Sequence, residues 1–262
     1  MGCTILGTSG KGGVGKTTFA ALLLKVLKDS DKYKENGILV IDADPDTNLP
    51  DVLGYNITRV DTIGGVADIL KKQISKGTLP PTVDKSKLLE GEIFKKIIEA
   101  DDYSYDLLVM GRHEGEGCYC FINSILTGIL DNLVKSYDLV LMDLEAGLEH
   151  LSRRTSSNVD IMFIITDPSK MGLETARRIR ELADEVAIEF KKIYLIGNKF
   201  NENMKNRLED YVNDLKLDGW MILPFDEQIA EFNFNGKSLL NLDDNSPALK
   251  AVRKFAKEIG LV

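Results

Sequence analysis

Three groups of residues in this chain have types and spacing that can do chemistry. The first is Gly10-Lys11-Gly12-Gly13-Val14-Gly15-Lys16-Thr17-Thr18, which runs Gly, four free positions, then Gly-Lys-Thr. In such a loop, glycines let backbone N–H groups turn inward around phosphate oxygens. A lysine can reach the β- and γ-phosphates, and a Thr hydroxyl can ligate magnesium. The second group is carboxylates that follow apolar runs: Asp42-Ala43-Asp44-Pro45-Asp46 in one place and Asp143 in another. Carboxylates so placed can hold a hydrated cation. The third is Cys118-Tyr119-Cys120, directly after a Gly-rich turn and before the apolar helical stretch Phe121 to Leu133. Thiolates there are favoured by the helix dipole and suit a soft or borderline metal. Two sulfurs, however, fall short of the four that a closed site usually has.

Each group needs an element to hold it. Cys3 to Thr8 reads as a short buried strand and Phe19 to Lys28 as a helix, so the glycine loop sits between strand and helix. That order also points the helix N-terminus, with its positive dipole end, at the phosphates. Gly37 to Ile41 is a continuous apolar run, as buried parallel strands are, and it delivers Asp42 and Asp44 to its carboxyl end. In open α/β sheets the ligand crevice lies there. Asp106–Met110, Tyr137–Asp143, Val159–Thr166, Ile193–Gly197 and Trp220–Leu223 repeat the strand pattern. Between residues 51 and 104, Val66–Ile74 and Leu88–Ile98 have helical spacing on either side of Gly77-Thr78-Leu79-Pro80-Pro81. No chemistry is assigned to that stretch. The alternation predicts an α/β fold: an open, mostly parallel, doubly wound sheet flanked by helices. One phosphate-loop domain would span residues 1–262, decorated by an insertion at about 51–104.

Composition narrows the class. A chain of 262 residues with 44% hydrophobic and 28% charged content suits a single soluble α/β domain. No apolar stretch is long enough to cross a membrane and no leader pattern precedes the first strand, so a cytoplasmic location is expected. Three cysteines without framework spacing fit a reducing compartment, and a net charge of −8 argues against a nucleic-acid partner. Cys3, inside the first strand, reads as core. The tail, Pro247 to Val262, reads as an amphipathic helix with Leu249, Val252, Phe255, Ala256 and Ile259 on one face. Closing the sheet is the expected role of that face, without stable membrane association.

Lys11 sits early in the loop, where its own chain's phosphates do not require it. With it, the loop resembles the deviant Walker A loop of the MinD/ParA/nitrogenase-iron-protein superfamily, Lys-Gly-Gly-x-Gly-Lys-Thr/Ser. The resemblance implies an ATP- and magnesium-dependent homodimer in which Lys11 reaches the partner's nucleotide. A cation supplied in trans can raise a phosphoryl-transfer rate by about 10³–10⁵. It further implies that Asp44 positions or activates the attacking water, that Asp42 lies near the magnesium shell, that Thr17 ligates the ion, and that Asp143, at a Walker B-like position, holds it through water. The stretch Asp143-Leu144-Glu145-Ala146-Gly147-Leu148-Glu149-His150 resembles the family's second switch. Asn198-Lys199 resembles its base-reading site, and Pro224-Phe225-Asp226 a loop that lies against adenine. Asn201 stands where a guanine-reading carboxylate would be, which favours adenine.

Cys118 and Cys120, combined with this loop, resemble the CooC family of nickel-insertion ATPases that mature carbon monoxide dehydrogenase. In that family two Cys-x-Cys pairs bind nickel or zinc across the dimer. The expectation is therefore an ATP-hydrolysing metallochaperone using ATP/ADP, Mg²⁺ and Ni²⁺ (or Zn²⁺), with carbon monoxide dehydrogenase as recipient. Two alternatives stay open. One is a MinD/ParA-like positioning ATPase acting on a membrane or partner. The other is an iron–sulfur electron donor, in which Cys3 would have to serve as the distant ligand.

Overall fold

The computed structural model describes residues 3–80, 82–100, 102, 104–112, 120–145, 159–185 and 190–262. Within them one sheet is formed by β1 Thr4–Gly10, β2 Ile38–Asp42, β3 Ile98–Glu99, β4 Asp106–Val109, β5 Leu139–Asp143, β6 Val159–Thr166, β7 Phe190–Asn198 and β8 Gly219–Leu223. Their order is β3-β4-β2-β5-β1-β6-β7-β8. The pairs are parallel except β3–β4. Central strands are apolar throughout because both faces are covered: Val40, Leu39, Leu141 and Val140 are all inaccessible to solvent.

The α-helices among the described residues are α1 Lys16–Lys28, α2 Leu49–Leu53, α3 Ile63–Ser75, α4 Lys85–Phe94, α5 Cys120–Val134, α6 Lys170–Glu185, α7 Lys205–Asp214, α8 Glu227–Phe234 and α9 Pro247–Glu258. One face of the sheet packs with α1 and α9, through Leu22, Leu23, Leu249 and Val252. The other packs with α3, α4, α5, α6 and α7, through residues such as Leu70, Leu89, Leu130, Ile179 and Leu208. Alternation along β1 divides its side chains between the two: Leu6 joins the first core and Ile5 the second.

Two boundaries move relative to the sequence reading. β1 runs on to Gly10, so the glycine loop starts from within the strand. The helical reading of Leu88–Ile98 stops at Phe94, and Ile98–Glu99 turns back as β3 with Ile98 opposite Leu107. That antiparallel pairing satisfies backbone groups that β4 would otherwise leave open at the sheet edge. The tail helix is docked: Phe255 meets Tyr194 at 5.4 Å and Phe163 at 6.3 Å between ring centroids, and Leu249 and Val252 are inaccessible. No helix among the described residues is long and apolar enough to cross a membrane.

Candidate functional site

The parallel register brings the polar residues together. Thr8 of β1 lies opposite Asp143 of β5, and Asp143 lies opposite Asp42 of β2. Three neighbouring strands thus end in one row, at the carboxyl edge from which the glycine loop departs. The chain winds from β1 to β2 on one side and later crosses to β6 on the other, so this is also where the winding reverses.

The loop turns into α1 through left-handed backbone at Gly13 (φ 76°) and Gly15 (φ 100°). Gly15 is further constrained from outside, since a Cβ there would stand 2.5 Å from the Asn198 amide nitrogen. That amide donates to the Val14 carbonyl at 2.8 Å, and the Lys199 ammonium reaches the Gly13 carbonyl at 3.3 Å. Asn198 and Lys199 therefore brace the glycine loop from the end of β7. Gly12 and Gly13 face open space, where a Cβ would meet nothing within 4 Å. Val14 is fully buried, Lys11 and Thr18 are half-buried, and Lys16 is only 7% exposed.

Around Lys16 stand three sealed carboxylates. Its ammonium lies 3.5 Å from Asp44 Oδ2. Asp143 accepts the Thr8 hydroxyl at 2.8 Å and the Thr17 hydroxyl at 2.7 Å, one on each oxygen. Asp42 accepts the Asp44 N–H and the Leu49 N–H, both at 3.1 Å, and so fixes the start of α2. Burial, and then the neighbouring Asp143, pushes the Asp42 carboxyl up to about 8 despite those two N–H donors. Burial likewise raises Asp143, against the pull of the Thr17 and Thr8 hydroxyls. One lysine cannot balance three carboxylates in a water-poor site, so the donor set has the character of a cation site. Among the described residues no group of three or more His, Cys, Asp or Glu is arranged as a cage for a metal. Magnesium is ordinarily held by one or two protein oxygens, with waters and phosphate oxygens completing its shell. Thr17 Oγ1 and Asp143 Oδ2 offer such a pair.

Thr8 belongs to no motif. It is one of three hydroxyl residues in β1, with Thr4 and Ser9, and it proves to be the one that orients Asp143. Beyond β2, Asp44 accepts the Asp46 N–H at 3.0 Å, and Thr47 takes a left-handed conformation (φ 49°). Arg112, in the loop after β4, ion-pairs with Asp46 and donates Nε–H to the Pro45 carbonyl at 3.2 Å. The segment after Asp44 is thereby tied to the stretch that leads toward the cysteines.

Phe225 is 75% exposed, whereas Asp226 is buried and turned inward. Asp226 caps α8 through the Gln228 N–H at 3.0 Å and accepts the Ser246 hydroxyl at 2.5 Å, joining the starts of α8 and α9. Pro224 is half-buried. Cys118 lies outside the described residues, as do Gly147 and His150 of the second-switch stretch. Cys120 is the first residue of α5, whose backbone starts at the carboxyl edge of the sheet. Cys3 stands at the opposite edge, before a seven-residue strand that spans roughly 23 Å at about 3.3 Å per residue. Its thiol is pushed up to about 11, chiefly by burial and then by Asp160 and Asp138.

A glycine loop entering a helix, with buried carboxylates on the adjacent strands, defines a phosphate-loop nucleotide-binding protein. Residues 5–239 match the CobQ/CobB/MinD/ParA nucleotide binding domain, and the chain belongs to that family of MinD/ParA-type P-loop ATPases. It is 46% identical to an uncharacterized ATP-binding protein of Methanocaldococcus jannaschii, over 97% of this chain and 98% of that one. It is 30% identical to the carbon monoxide dehydrogenase accessory protein CooC of Rhodospirillum rubrum, over 94% and 91% of the two chains. The fold matches the MinD cell division protein of Aquifex aeolicus with a TM-score of 0.68 at 24% identity, covering 99% of this chain and 97% of that one.

Proposed function

We propose that this chain is a nucleotide-driven metallochaperone: it dimerises on ATP, hydrolyses it, and delivers nickel to the active-site cluster of a carbon monoxide dehydrogenase. The observation that carries the reading is the start of α5 at Cys120, on the same edge of the sheet as the glycine loop and in the connection that Arg112 ties to Asp46. Kinship with CooC supports it.

In this reading the backbone of residues 12–18, held open by Asn198 and Lys199, surrounds the phosphates, and Lys16 turns from Asp44 toward them. Asp44, released, orients the attacking water. Thr17 and Asp143 would hold magnesium, with Asp42 nearby; bound there, the ion would supply positive charge to the phosphate oxygens. Lys11 crosses to the partner's nucleotide, where it offsets charge that develops in the transition state. Phe225 and Pro224 flank the adenine, while Asp226 fixes the loop that carries them. Residues 1–262 act as one domain in the cytoplasm, with 51–104 as a decoration. Cys118 and Cys120 from two subunits make a four-sulfur site for nickel, the cargo; zinc competes for the same ligands.

Two observations weigh against the alternatives. The apolar face of α9 is buried against the sheet, so it is not displayed for a membrane. Cys3 lies at the wrong edge of the sheet to share a cluster with Cys120. The test is equilibrium dialysis of nickel against the reduced protein, with ADP, with ATP and without nucleotide. The expected result is about one nickel per dimer, as four thiolates per site require, lost in Cys118→Ala. No binding in any nucleotide state, with ATP hydrolysis intact in the Cys118→Ala/Cys120→Ala double variant, would move the assignment to a positioning ATPase.

A further inference from the structure

On the second face of the sheet, α3 and α4 leave a cleft of about 280 Å³ between them. Its floor is made by Val66, Leu70 and Leu89, which belong to the core, and its walls by Ile69 and Leu88. The walls stay open to water: Ile69 is 47% exposed, and Val60 at the mouth is 56% exposed. Exposed apolar side chains gathered along a concavity mark a binding surface more often than scattered ones do.

The charge around the cleft runs against that of the molecule. Residues 71–96 hold seven lysines against three acidic residues, a net +4, in a chain whose net charge is −8. The lysines continue the lining stripes. Lys76, the residue that caps the end of α3, follows Ile69 and Gln73 at helical spacing, and Lys85 precedes Leu88 on α4. Lys96 lines the cleft and pairs with Asp61 at 3.5 Å, while Glu92, the carboxylate in the lining, is taken up by Lys95 at 2.7 Å.

We infer that the α3–α4 cleft is a docking groove for an amphipathic, acidic helix of a partner protein, with apolar anchors in the cleft and carboxylates on the lysine rim. Charge complementarity selects this occupant. A second copy of the chain would set two positive rims against each other across a twofold axis. A membrane surface presses on a protruding apolar face, whereas this one is recessed between two helices. Helix-in-groove recognition uses anchors at i, i+3 or i+4, and i+7, which a channel between two helices accepts. The inference stands independently of whether the cysteines bind metal.

A phage-displayed random peptide library panned on the full chain tests it. Recovered sequences are then synthesised with a fluorophore and titrated by anisotropy against the wild type, Ile69→Glu and Lys76→Glu/Lys85→Glu. The expected result is peptides with apolar residues at helical spacing and an excess of Asp and Glu. Their affinity should fall roughly tenfold or more in each variant, as for removal of a central anchor. Unchanged nucleotide affinity and circular dichroism would show that the variants are folded. Failure to recover peptides, recovery of neutral or basic ones, or equal binding to Ile69→Glu would overturn the inference. So would sedimentation of the chain with phosphatidylglycerol vesicles that is lost in Lys76→Glu/Lys85→Glu, which would assign the patch to a lipid surface.

Discussion

At the carboxyl ends of β1, β2 and β5, the charged side chains Lys16, Asp42, Asp44 and Asp143 are sealed from water. Between α3 and α4 the emphasis is reversed: it is apolar side chains, Ile69 and Val60, that are left open to solvent. The first region carries an electrostatic cost, visible in the upward push on Asp42 and Asp143, that a cation among the carboxylates would relieve. The second carries little strain of that kind, and its exposed walls can change without disturbing the sheet. Substitutions at the nucleotide edge should therefore alter chemistry, whereas those at the cleft should alter association and leave chemistry alone.

The largest expected effect tests that separation. Lys11→Ala should lower kcat for ATP hydrolysis by about 10³-fold or more while ADP affinity is kept, because the lost cation acts only as charge develops. Ile69→Glu should leave kcat unchanged in the same assay. Equal losses in the two variants would mean that the regions are not independent. Within the cleft, the floor and the wall should differ too. Leu89→Ala, at a fully buried position, should cost about 2–5 kcal/mol in urea unfolding. Ile69→Ala should stay within about 0.5 kcal/mol; a similar loss at both would mean that the wall is closed in solution.

A chemical probe extends the comparison to the two edges of the sheet. With its thiol held near 11 instead of the ordinary 9.0, Cys3 should carry about a hundredfold less thiolate below pH 9, and iodoacetamide should modify it correspondingly slowly. Cys118 and Cys120 should react first, and nickel should protect them. Fast alkylation at Cys3 would reopen the iron–sulfur reading. A small effect is also expected at the Arg112–Asp46 ion pair. Both partners are 62% exposed, so Arg112→Ala should cost no more than about 1 kcal/mol in stability.

The nucleotide edge was legible in the sequence because the backbone there dictates residue type. Gly13 and Gly15 supply positive φ, and β1, β2 and β5 end in groups whose spacing reflects the sheet register. Thr8 escaped because nothing in a single strand tells which hydroxyl will face a carboxylate on its neighbour. Asn198 was recognised as a site residue, but its hold on the Val14 carbonyl depends on how closely β7 approaches the loop. Asp226 follows a strand as a ligand residue would; its inward turn comes from α9, which presents Ser246 from twenty positions further on. The cleft was least legible. Leu88 and Leu89 read as ordinary helix-face residues, and only the packing of α4 beside α3 separates floor from wall.

The central claim is that nucleotide and metal act on one dimer. It is tested most directly by sedimentation velocity of the nickel-loaded protein, followed at the protein band and at the thiolate-to-nickel charge-transfer band, with and without ATP. The account predicts that nickel travels only with the dimer, that ATP shifts the dimer population, and that Cys118→Ala removes the metal signal without removing the ATP-driven shift. Nickel sedimenting with the monomer, or a dimer population indifferent to ATP, would contradict it.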